Sequence, residues 1–532
     1  MQQERSLSRR SFTKGIGAMA ACMTSTLATT SHALGEEGKT SDMAWDEEAD
    51  FVVLGLGAAG MGAVKTAAID NEATVIVLEK RDEEHAGGAF ATFLGLFGSA
   101  RDPLVFSTTS DGFIDENFAQ RINEAIDVAP AWLKETTGLE LHQSDNDFGH
   151  SYMSSNGPEV WKSCYAAVKD NQNLTIHFES VADSLVIDES GAVIGVHANV
   201  NGSPMSIKAR LGVIICTGNY AGDKDLFTQI HQFKIPFAPG CDSQLVGDGV
   251  YLAAQAGAIP FTRTSLAFEW FDWAIAKASE DLGEGMILNG VTSGGNPVFN
   301  TRVFVNGAGK RFMNEDATFL HSHALLPFMH WSIVPETRAV HYDNLPMWCI
   351  YDSKVPSKHK LWIQEEGNIN WTYAKARDIY QWSDDNEAEV ERGWIYKADT
   401  LEELADLMVF HHLNDDTECR VDKEQFINTV NEYNETICAT GEDPLGKAAE
   451  YLVALDTPPY YAIETVPMVG YTISGLEVDL DMHVLDREGE SIKGLYAAGD
   501  IAGMHAQAYP FGAGPSFVLG GFAVESALAA SA

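Results

Sequence analysis

Basic residues are scarce in this chain, and their scarcity excludes one class of partner. Lysine and arginine together number 35, against 76 aspartates and glutamates, so the formal net charge at pH 7 is −41. Nucleic acids and anionic lipid surfaces both require positive charge on the protein that binds them. We therefore exclude nucleic acid as a partner. The acidic surface is explained either by solubility or by docking of a basic redox partner.

Cysteine motifs and long apolar runs are also absent. The seven cysteines form no CxxC or CxxCH motif and no regular ligand spacing. This pattern excludes a covalent c-type haem and any recognisable iron–sulfur or zinc site, and we predict no metal site. Disulfides are left unassigned. Beyond the N-terminal segment no run of 18 or more apolar residues occurs, which predicts that the mature protein does not span a membrane.

The first 33 residues have the character of a targeting segment. Residues 8–14 read SRRSFTK, a weakly apolar stretch follows, and Ser31-His32-Ala33 provides a small-residue cleavage site. This segment resembles the bacterial twin-arginine signal, which implies export of the folded protein by the Tat translocase. The resemblance places the protein in the periplasm or on the outer face of the cytoplasmic membrane. Residues 19–22 are similar to a lipobox, so a lipid anchor at Cys22 is the alternative.

A βαβ unit with nucleotide-binding character follows. Residues 49–54 form an apolar run typical of a buried strand, residues 55–60 read GLGAAG and open a helix through residue 68, and a second strand at 73–78 ends in Glu79. The glycines permit a tight turn, the helix N-terminus faces a pyrophosphate, and the acid binds ribose hydroxyls. Because all three features occur in the required order, we predict a dinucleotide site here.

The rest of the chain divides into two flanking segments and a central inserted segment. Residues 181–215 alternate with turns near 190 and 201, which predicts a small antiparallel meander, and 211–216 returns as a buried strand. Between 260 and 400 tryptophans become frequent, as in an inserted cap, and the last 75 residues recover the strand and glycine signals. We predict an α/β fold with α+β elements, in which a Rossmann-like domain is built from both chain ends around the cap. The predicted segments are the signal (1–33), the first part of the nucleotide-binding domain (45–258), the cap (259–455) and the second part (456–532).

Six ordered motifs identify a family resemblance. They are the 55–60 loop, Gly87-Gly88, Thr217-Gly218, GDG at 247–249, GKRFMNE at 309–315 and the segment around Asp500. Together they resemble the flavoprotein family of fumarate reductase and succinate dehydrogenase, which also includes 3-ketosteroid dehydrogenases and urocanate reductase. The resemblance implies bound FAD.

The same resemblance assigns the residues that hold FAD. Glu79 is expected on the adenosine ribose, Gly87 and Gly88 near the flavin, and Asp500 near the ribityl chain; the helix that starts at 512–516 aims its positive end at the flavin N1/C2 carbonyl. The implied FAD-binding residues are Gly55, Gly57, Ala58, Ala59, Gly60, Glu79, Lys80, Gly87, Gly88, Ala182, Thr217, Gly218, Asp248, Gly499, Asp500, Gly514 and Ser516. FAD is expected to be non-covalent, because His85 lies too close to Gly87 to match the histidine that succinate dehydrogenases link to FAD.

Three departures from the family pattern concern the substrate. Phe319 stands where fumarate and urocanate reductases have a proton-donating arginine, and a phenyl ring cannot transfer a proton. Tyr471 and Tyr509 stand where dicarboxylate reductases place a histidine and an arginine that grip a carboxylate. A tyrosine hydroxyl suits a carbonyl or phenol, and its ring stacks on flat apolar surfaces. We therefore predict a neutral aromatic or polycyclic substrate.

The predicted catalytic residues are Tyr509 and Tyr471, each as either the acid or the electrophile. Phe319, Trp270 and His505 are predicted to contact the substrate. The alternatives are that Tyr509 packs under the cap and that the tryptophan belongs to the core. Other candidates weighed are His321, His323, Trp273, Arg302 and Arg311; the histidines are more simply explained as surface residues, and Arg311 as a structural residue of its hairpin.

The source of electrons completes the functional hypothesis. With no haem motif and no nicotinamide loop beyond the FAD fingerprint, an exported reductase must receive electrons from a separate carrier, which the resemblance implies is a multihaem cytochrome c. We predict reduction of an activated C=C bond. One alternative is a ketosteroid-type FAD dehydrogenase that runs the reaction in the opposite direction. The other is a flavin electron carrier without substrate turnover, which the loss of the acid at Phe319 would favour.

Overall fold

The protein is described here by a computed structural model. It describes residues 43–92, 97–100, 116–146, 149–153, 157–231, 237–239, 244–261, 270–282, 301–315, 330–333, 335, 340–354, 380, 383, 386–411, 418–472, 474–503 and 513–531. The described residues from Trp45 onward belong to one compact unit. The predicted signal at 1–33 and Cys22 lie outside the described residues.

Strands and helices are numbered in chain order. The strands are β1 (Glu47–Leu54), β2 (Val75–Leu78), β3 (Phe97–Ala100), β4 (His142–Asn146), β5 (Gly149–Met153), β6 (Leu174–His177), β7 (Ser180–Ile187), β8 (Val193–Val200), β9 (Ser203–Ile215), β10 (Ala238–Pro239), β11 (Pro260–Phe261), β12 (Trp270–Ile275), β13 (Val303–Asn306), β14 (Trp331–Ile333), β15 (Val340–Tyr342), β16 (Met347–Asp352), β17 (Tyr396–Ala398), β18 (Val409–His411), β19 (Glu418–Arg420), β20 (Tyr460–Tyr471), β21 (Gly475–Leu476), β22 (His483–Leu485) and β23 (Ser491–Ala497). The helices are α1 (Ala58–Val64, continued by a π-helical turn Lys65–Asp70), α2 (Gly88–Thr92), α3 (Glu116–Ala125), α4 (Val128–Thr137), α5 (Gly157–Val168), α6 (Lys224–His231), α7 (Asp248–Gln255), α8 (Ala276–Leu282), α9 (Glu387–Glu391), α10 (Leu401–Leu407), α11 (Lys423–Glu432, continued by Tyr433–Ile437 and Cys438–Thr440) and α12 (Ala513–Ser531).

The first sheet is built from both ends of the chain. Its strands run in the order β22-β23-β9-β1-β2-β6, and β1 pairs in parallel with β2 and β9. β23, from the last 45 residues, adds in parallel to β9 through pairs such as Leu495↔Val213. β2 is apolar and buried along its whole length, as expected for a parallel strand covered on both faces. The predicted α/β fold with a Rossmann-like sheet assembled from both chain ends is confirmed.

β9 belongs to two strand arrangements at once. Its first half pairs antiparallel with β8, which pairs antiparallel with β7, while its second half continues in parallel beside β1. The connecting turns fall at 188–192 and at Asn201-Gly202, both of which residues have positive φ. The predicted meander is confirmed, and the strand predicted at 211–216 is the second half of β9.

Helices α1 and α12 join the two chain ends by close backbone contact. A Cβ added at Gly62 would lie 1.9 Å from the Phe517 carbonyl oxygen, and one at Gly520 would lie 1.9 Å from the Ala59 carbonyl oxygen. Only glycine permits this approach, because any larger side chain would overlap backbone atoms. Packing of α1 therefore depends on two glycines about 460 residues apart in the chain.

α12 is the one helix within the described ranges that is long and apolar enough to cross a membrane by length and composition. Its most apolar window has a mean hydropathy of 1.3, and 67% of that window is buried inside the protein. It packs against α1, and residues such as Phe517, Leu519 and Val524 belong to the main hydrophobic core. The burial accounts for its composition, because a helix that is apolar on all sides can serve as a core helix.

The second sheet combines strands of the predicted cap with strands from the segments on either side of it. It runs β10-β20-β16-β13, with β12 and β17 also paired to β20. One face covers a separate apolar cluster that includes Trp348, Phe426 and Tyr433. Thr400 and Asp422 cap α10 and α11 by accepting backbone N–H bonds, so both helices begin where the sequence supplies an N-cap residue. β20 begins after the predicted boundary at 455, and the predicted domain limits stay predictions.

Candidate functional site

Four strands of the first sheet end side by side. β1, β2, β9 and β23 are parallel, so their C-terminal ends meet at one edge, which we call the carboxyl edge. Backbone pairing continues to the last residue, since Gly55 N–H bonds Leu78 O at 2.8 Å and Ala498 N–H bonds Ile215 O at 3.0 Å. Ligands of open α/β sheets bind outside this kind of edge. The predicted FAD-binding segments at 55–60, 79–80, 217–218 and 499–500 all follow these strands directly.

The glycine loop after β1 is tightly constrained. Gly55 has φ +94°, and a Cβ there would lie 2.6 Å from the Cys216 carbonyl oxygen. A Cβ at Gly60 would lie 2.0 Å from the Gly55 carbonyl oxygen, so the first turn of α1 packs directly on the strand end. Ala58 and Ala59 form that first turn. With no side chain at Gly57, the backbone amides at the start of α1 are accessible to a phosphate.

Glu79 fixes this loop. Its side chain is buried, with 6% exposed, and its carboxylate accepts the Leu56 N–H at 2.8 Å and the Arg81 N–H at 3.0 Å. A carboxylate can accept about four hydrogen bonds, so a bond from a ribose hydroxyl is compatible with these two. Ala182 lies in β7, two residues after Ser180, whose N–H bonds the Glu79 carbonyl oxygen at 2.9 Å. The predicted ribose residue and Ala182 are therefore near one another.

Trp161 is a contributor that the sequence did not reveal. Its indole Nε1 donates to the Leu56 carbonyl oxygen at 2.9 Å, and its ring is 1% exposed and stacks on Tyr165 with centroids 5.2 Å apart. A Cβ at Gly87, whose φ is +102°, would lie 2.5 Å from the Trp161 ring. Trp161 thus holds both the glycine loop and the predicted flavin-side glycine. It comes from α5, about 100 residues after the loop, and no local motif marks it.

The loops after β2 and β9 are linked across the carboxyl edge. Lys80 forms an ion pair with Asp248 at 2.7 Å, and both side chains are partly exposed. Thr217 Oγ1 accepts the Gly249 N–H at 3.2 Å, which fixes the start of α7 beside the end of β9. Leu245, also not predicted from the sequence, contacts the positions of Gly88 and Gly218, where added Cβ atoms would lie 3.8 and 2.9 Å from it.

The loop after β23 brings the C-terminal segment to the same place. A Cβ at Gly499 would lie 2.9 Å from the Ala59 Cβ and 3.6 Å from Ser516, so the starts of α1 and α12 converge on it. Asp500 follows, and Asn219 Nδ2 donates to its Oδ2 at 3.3 Å. Loss of solvation raises the pKa of Asp500 to about 6, although the Asn219 hydrogen bond acts to lower it.

These residues fit a dinucleotide such as FAD. The glycines leave room that any Cβ would fill, the backbone amides of the 55–60 loop suit phosphate, and Glu79 and Asp500 supply carboxylates for sugar hydroxyls. Gly514 and Ser516 begin α12 beside Gly499. The structure brings the predicted FAD-binding residues of both chain ends to one edge. The contact each makes with the cofactor stays a prediction.

The segment after β20 lies against the loop that carries Asp500. Leu476 N–H bonds the Ile501 carbonyl oxygen at 2.7 Å, and Gly503 N–H bonds the Leu476 carbonyl oxygen at 2.6 Å. Tyr471, the last residue of β20, pairs across the strands with Trp270 of β12. Two residues that the sequence assigned to the substrate therefore share one strand pair beside the carboxyl edge. Tyr509, Phe319, His505, His321 and His323 lie outside the described residues.

The GKRFMNE segment has a structural role. Arg311 binds Glu315 and Asp443 through four hydrogen bonds of 2.6–3.0 Å, and the Lys447 ammonium lies 3.6 Å from Glu315. Burial would raise the pKa of Asp443, but the Arg311 hydrogen bonds outweigh it, and this pKa is lowered. Arg302, 3% exposed, lies near this group, and Lys447 Nζ donates to its carbonyl oxygen. The prediction that Arg311 is structural is confirmed.

The described residues hold no group of three or more histidine, cysteine, aspartate or glutamate side chains that could bind a metal ion. Cys164, Cys216, Cys349 and Cys438 carry free thiols, and burial raises the pKa of each. His85 is half exposed and its Nδ1 lies 2.7 Å from Asp82. Its chemistry toward FAD stays a prediction.

Comparisons with known proteins give the cofactor independently. The family model described as FAD binding domain matches residues 140–515. The chain is 27% identical over 489 residues to a vinyl phenol reductase of Lactiplantibacillus plantarum, covering 86% of this chain and 91% of that protein. It is also 26% identical over 405 residues to an NADH:acrylate oxidoreductase of Vibrio harveyi. This match covers 74% of this chain but only 34% of the longer relative. The fold is similar to an open flavocytochrome c3 fumarate reductase, with a TM-score of 0.63, 19% identity and coverage of 99% of this chain and 83% of that one.

Proposed function

Because the chain belongs to the FAD-dependent flavoprotein family of fumarate reductases and succinate dehydrogenases, and is an FAD-dependent oxidoreductase, we propose that it reduces an activated C=C bond. The proposed substrate is a neutral aromatic or polycyclic molecule that carries an enone, enoate or comparable conjugated double bond. Relatives that act on C=C bonds support the reaction class, and aromatic residues at three substrate positions support the substrate class.

The vinyl phenol reductase supports the substrate class in particular. Vinyl phenol is a flat, uncharged aromatic with a conjugated double bond, and that relative is similar along almost the whole of both chains. Phe319, Tyr471 and Tyr509 suit such a molecule, because none carries the positive charge that forms an ion pair with a carboxylate. A substrate of this kind would be held by ring stacking and by hydrogen bonds to its phenol or carbonyl.

One structural observation carries the proposal. The Trp270↔Tyr471 strand pair is followed by Leu476, whose backbone bonds Ile501 and Gly503 beside Asp500. Any side chain that acts on the substrate must lie where the cap meets the FAD site. β20, the central strand of the second sheet, ends five residues before Leu476, which supports a substrate site between the predicted cap and the carboxyl edge.

In the proposed reaction the protein itself supplies a proton and orients the substrate. When bound and reduced by the external electron donor, FAD would supply a hydride to one carbon of the double bond, so an acid of the protein would supply the proton to the other carbon. We assign this acid to Tyr471 or Tyr509, because a phenol hydroxyl can donate a proton. The other tyrosine would donate a hydrogen bond to the substrate's oxygen. Trp270, Phe319 and His505 would line the substrate site.

The cellular context is part of the same proposal. Residues 1–33 would direct Tat export of the folded protein with non-covalent FAD, and a separate multihaem cytochrome c would supply electrons. The net charge of −41 would favour a basic partner through complementary fields. The proposed FAD domain is 45–258 with 456–532 and the proposed cap is 259–455, except that β10 and β20 pair with strands of the cap in the second sheet.

Anaerobic turnover of the FAD-loaded protein tests this function. Oxidation of reduced viologen is followed on addition of 4-vinylphenol, cinnamates, enones or unsaturated steroids, with fumarate as the charged comparison. We expect faster oxidation with a neutral aromatic than with fumarate. Oxidation with fumarate alone would contradict the substrate class. Reduction of the oxidised protein by a saturated ketone would favour the dehydrogenase, and no turnover in either direction would favour an electron carrier.

Two tyrosine substitutions test the assignment of the acid. Tyr471→Phe and Tyr509→Phe each remove one hydroxyl and keep the ring, and loss of general acid catalysis lowers turnover about 100-fold or more. Tyr461→Phe is the matched control, because Tyr461 lies at the opposite end of β20, stacked on Tyr351 with centroids 4.8 Å apart. Wild-type turnover in both site variants would remove the two tyrosines from the mechanism.

A further inference from the structure

The loops after β9 and β23 are connected by one fully buried side chain. Asn219, with 0% of its surface exposed, lies four residues after β9, and Asp500 lies three residues after β23. The two strands are neighbours in the first sheet, so their following loops lie side by side. Asn219 Nδ2 donates to Asp500 Oδ2 at 3.3 Å. This is a contact between two adjacent loops of the carboxyl edge.

The orientation of the Asn219 amide is fixed by its other end. Its Oδ1 accepts the Ala221 backbone N–H at 3.0 Å, which leaves the NH₂ group to face Asp500. An amide NH₂ can donate but cannot accept. The Asp500 oxygen that faces Asn219 therefore acts as an acceptor, which either oxygen of a carboxylate can do but a protonated carboxyl does best with its carbonyl oxygen.

We propose that Asn219 is a positioning residue that keeps the Asp500 carboxylate ionised and oriented toward bound FAD. The proposal rests on the family's FAD and on the predicted place of Asp500 beside it, and it is independent of the substrate. A carboxylate accepts hydrogen bonds from hydroxyls more strongly than a neutral carboxyl does. An ionised Asp500 would therefore bind FAD hydroxyls more tightly than a protonated one.

The surroundings of Asp500 oppose its ionisation. Loss of solvation raises its pKa to about 6, and the Asn219 hydrogen bond is the influence that opposes it. On the part of the chain that the structure describes, no charged side chain from β9, β23, α1 or α12 acts on this carboxyl. Among the described residues, the neutral Asn219 amide is therefore the group that favours the ionised form of Asp500.

FAD titrations of the apoprotein provide the test, and they require no turnover. Dissociation constants are measured by flavin fluorescence between about pH 5 and pH 8 for wild type, Asn219→Asp and Asp500→Asn. Asn219→Asp keeps an oxygen for the Ala221 N–H but turns a second carboxylate toward Asp500. Asn434→Asp is the control, because Asn434 bonds both backbone groups of Leu455 in the inserted part of the chain.

The expected results follow from the charge state of Asp500. Wild-type affinity should fall as the pH drops through about 6, and Asp500→Asn should bind FAD weakly without that pH dependence. Asn219→Asp should move the pH midpoint upward by about one unit, so its dissociation constant should exceed the wild-type value by about 5-fold at pH 6 and by about 2-fold at pH 7. Asn434→Asp should change neither. Asn219→Ala, which adds no charge, should shift the midpoint in the same direction by a smaller amount.

The exchanged pair Asn219→Asp with Asp500→Asn separates positioning from simple structural support. In this double variant the amide at position 500 can donate a hydrogen bond to the carboxylate at position 219, so the thermal stability of the apoprotein should recover. FAD affinity should stay low, because position 500 no longer carries a carboxylate. Recovery of wild-type affinity in the exchanged pair would overturn the proposal. A wild-type pH profile in Asn219→Asp and Asn219→Ala, or in Asp500→Asn, would also overturn it. Because no substrate is used, failure of the proposed reductase activity would leave these results unaffected.

Discussion

Replacing Gly520 by alanine adds one methyl group where α12 meets α1. The new Cβ would lie 1.9 Å from the Ala59 carbonyl oxygen, 2.8 Å from the Ala59 carbonyl carbon and 2.9 Å from the Ala63 nitrogen. An ordinary contact starts near 3.4 Å, so the overlap is about 1.5 Å. All three atoms are backbone atoms, and no side-chain rotation can relieve the contact. The two helices must move apart.

The net effect on stability combines two opposite terms. Alanine is a better helix former than glycine by about 0.8–1.0 kcal/mol, which would stabilise α12. Overpacking of a dense core costs about 1–3 kcal/mol or more, and this site is at the severe end because backbone meets backbone. We expect a net destabilisation of about 2 kcal/mol. Ala59 also belongs to the glycine loop, so its displacement should weaken FAD binding.

Urea unfolding of the apoprotein and FAD titration measure the two consequences. Ser526→Ala is the control, because it raises helix propensity in α12 without adding an atom. Gly62→Ala should resemble Gly520→Ala, since a Cβ at Gly62 would lie 1.9 Å from the Phe517 carbonyl oxygen. If Gly520→Ala unfolded at or above the wild-type urea midpoint with unchanged FAD affinity, the close helix contact and the argument from it would be wrong.

Three further predictions address the glycine loop, the buried ions and the pH profile. Trp161→Phe leaves the buried Leu56 carbonyl without its donor, so we expect a loss of about 1–3 kcal/mol in urea unfolding and weaker FAD binding. Arg311→Met removes the guanidinium from the buried Asp443 and Glu315 carboxylates, keeps Lys447 3.6 Å from Glu315, and should cost about 3–5 kcal/mol. Arg210→Met, at an exposed ion pair, should cost under about 1 kcal/mol, and equal effects would contradict the burial argument. The Asp500 pKa is raised to about 6 from 3.8, so between about pH 4 and pH 6 the folded apoprotein holds a proton that the unfolded chain releases. The free energy of unfolding should therefore fall as the pH rises through this range, and Asp500→Asn should flatten that part of the profile.

The local motifs predicted the FAD site well because each part of it is short in sequence. The GLGAAG loop, Glu79 at the end of β2 and the glycines before Asp500 follow strands whose apolar runs are visible in the sequence. Turn glycines at 191 and 202 likewise predicted the meander. In these segments the residue type dictates the local backbone, so reading along the chain is sufficient.

Contacts between distant segments were missed because nothing in the local sequence marks them. Trp161 reaches Leu56 across 105 residues, and Asn219 reaches Asp500 across 281. A tryptophan in an amphipathic helix and an asparagine after a strand are both common in proteins without such roles. The role of β20 as the centre of the second sheet was also not predicted, because it depends on pairing with strands from β10 to β17.

The sequence by itself determined the cofactor class, the parallel strands and the glycines that must approach other backbone closely. It did so because periodicity, turn chemistry and missing side chains act over a few residues. Only the tertiary structure decided that both chain ends complete one sheet, that α1 and α12 meet through Gly62 and Gly520, and that Asn219 faces Asp500. These features depend on which strands become neighbours, and that choice is made by burial of the whole core.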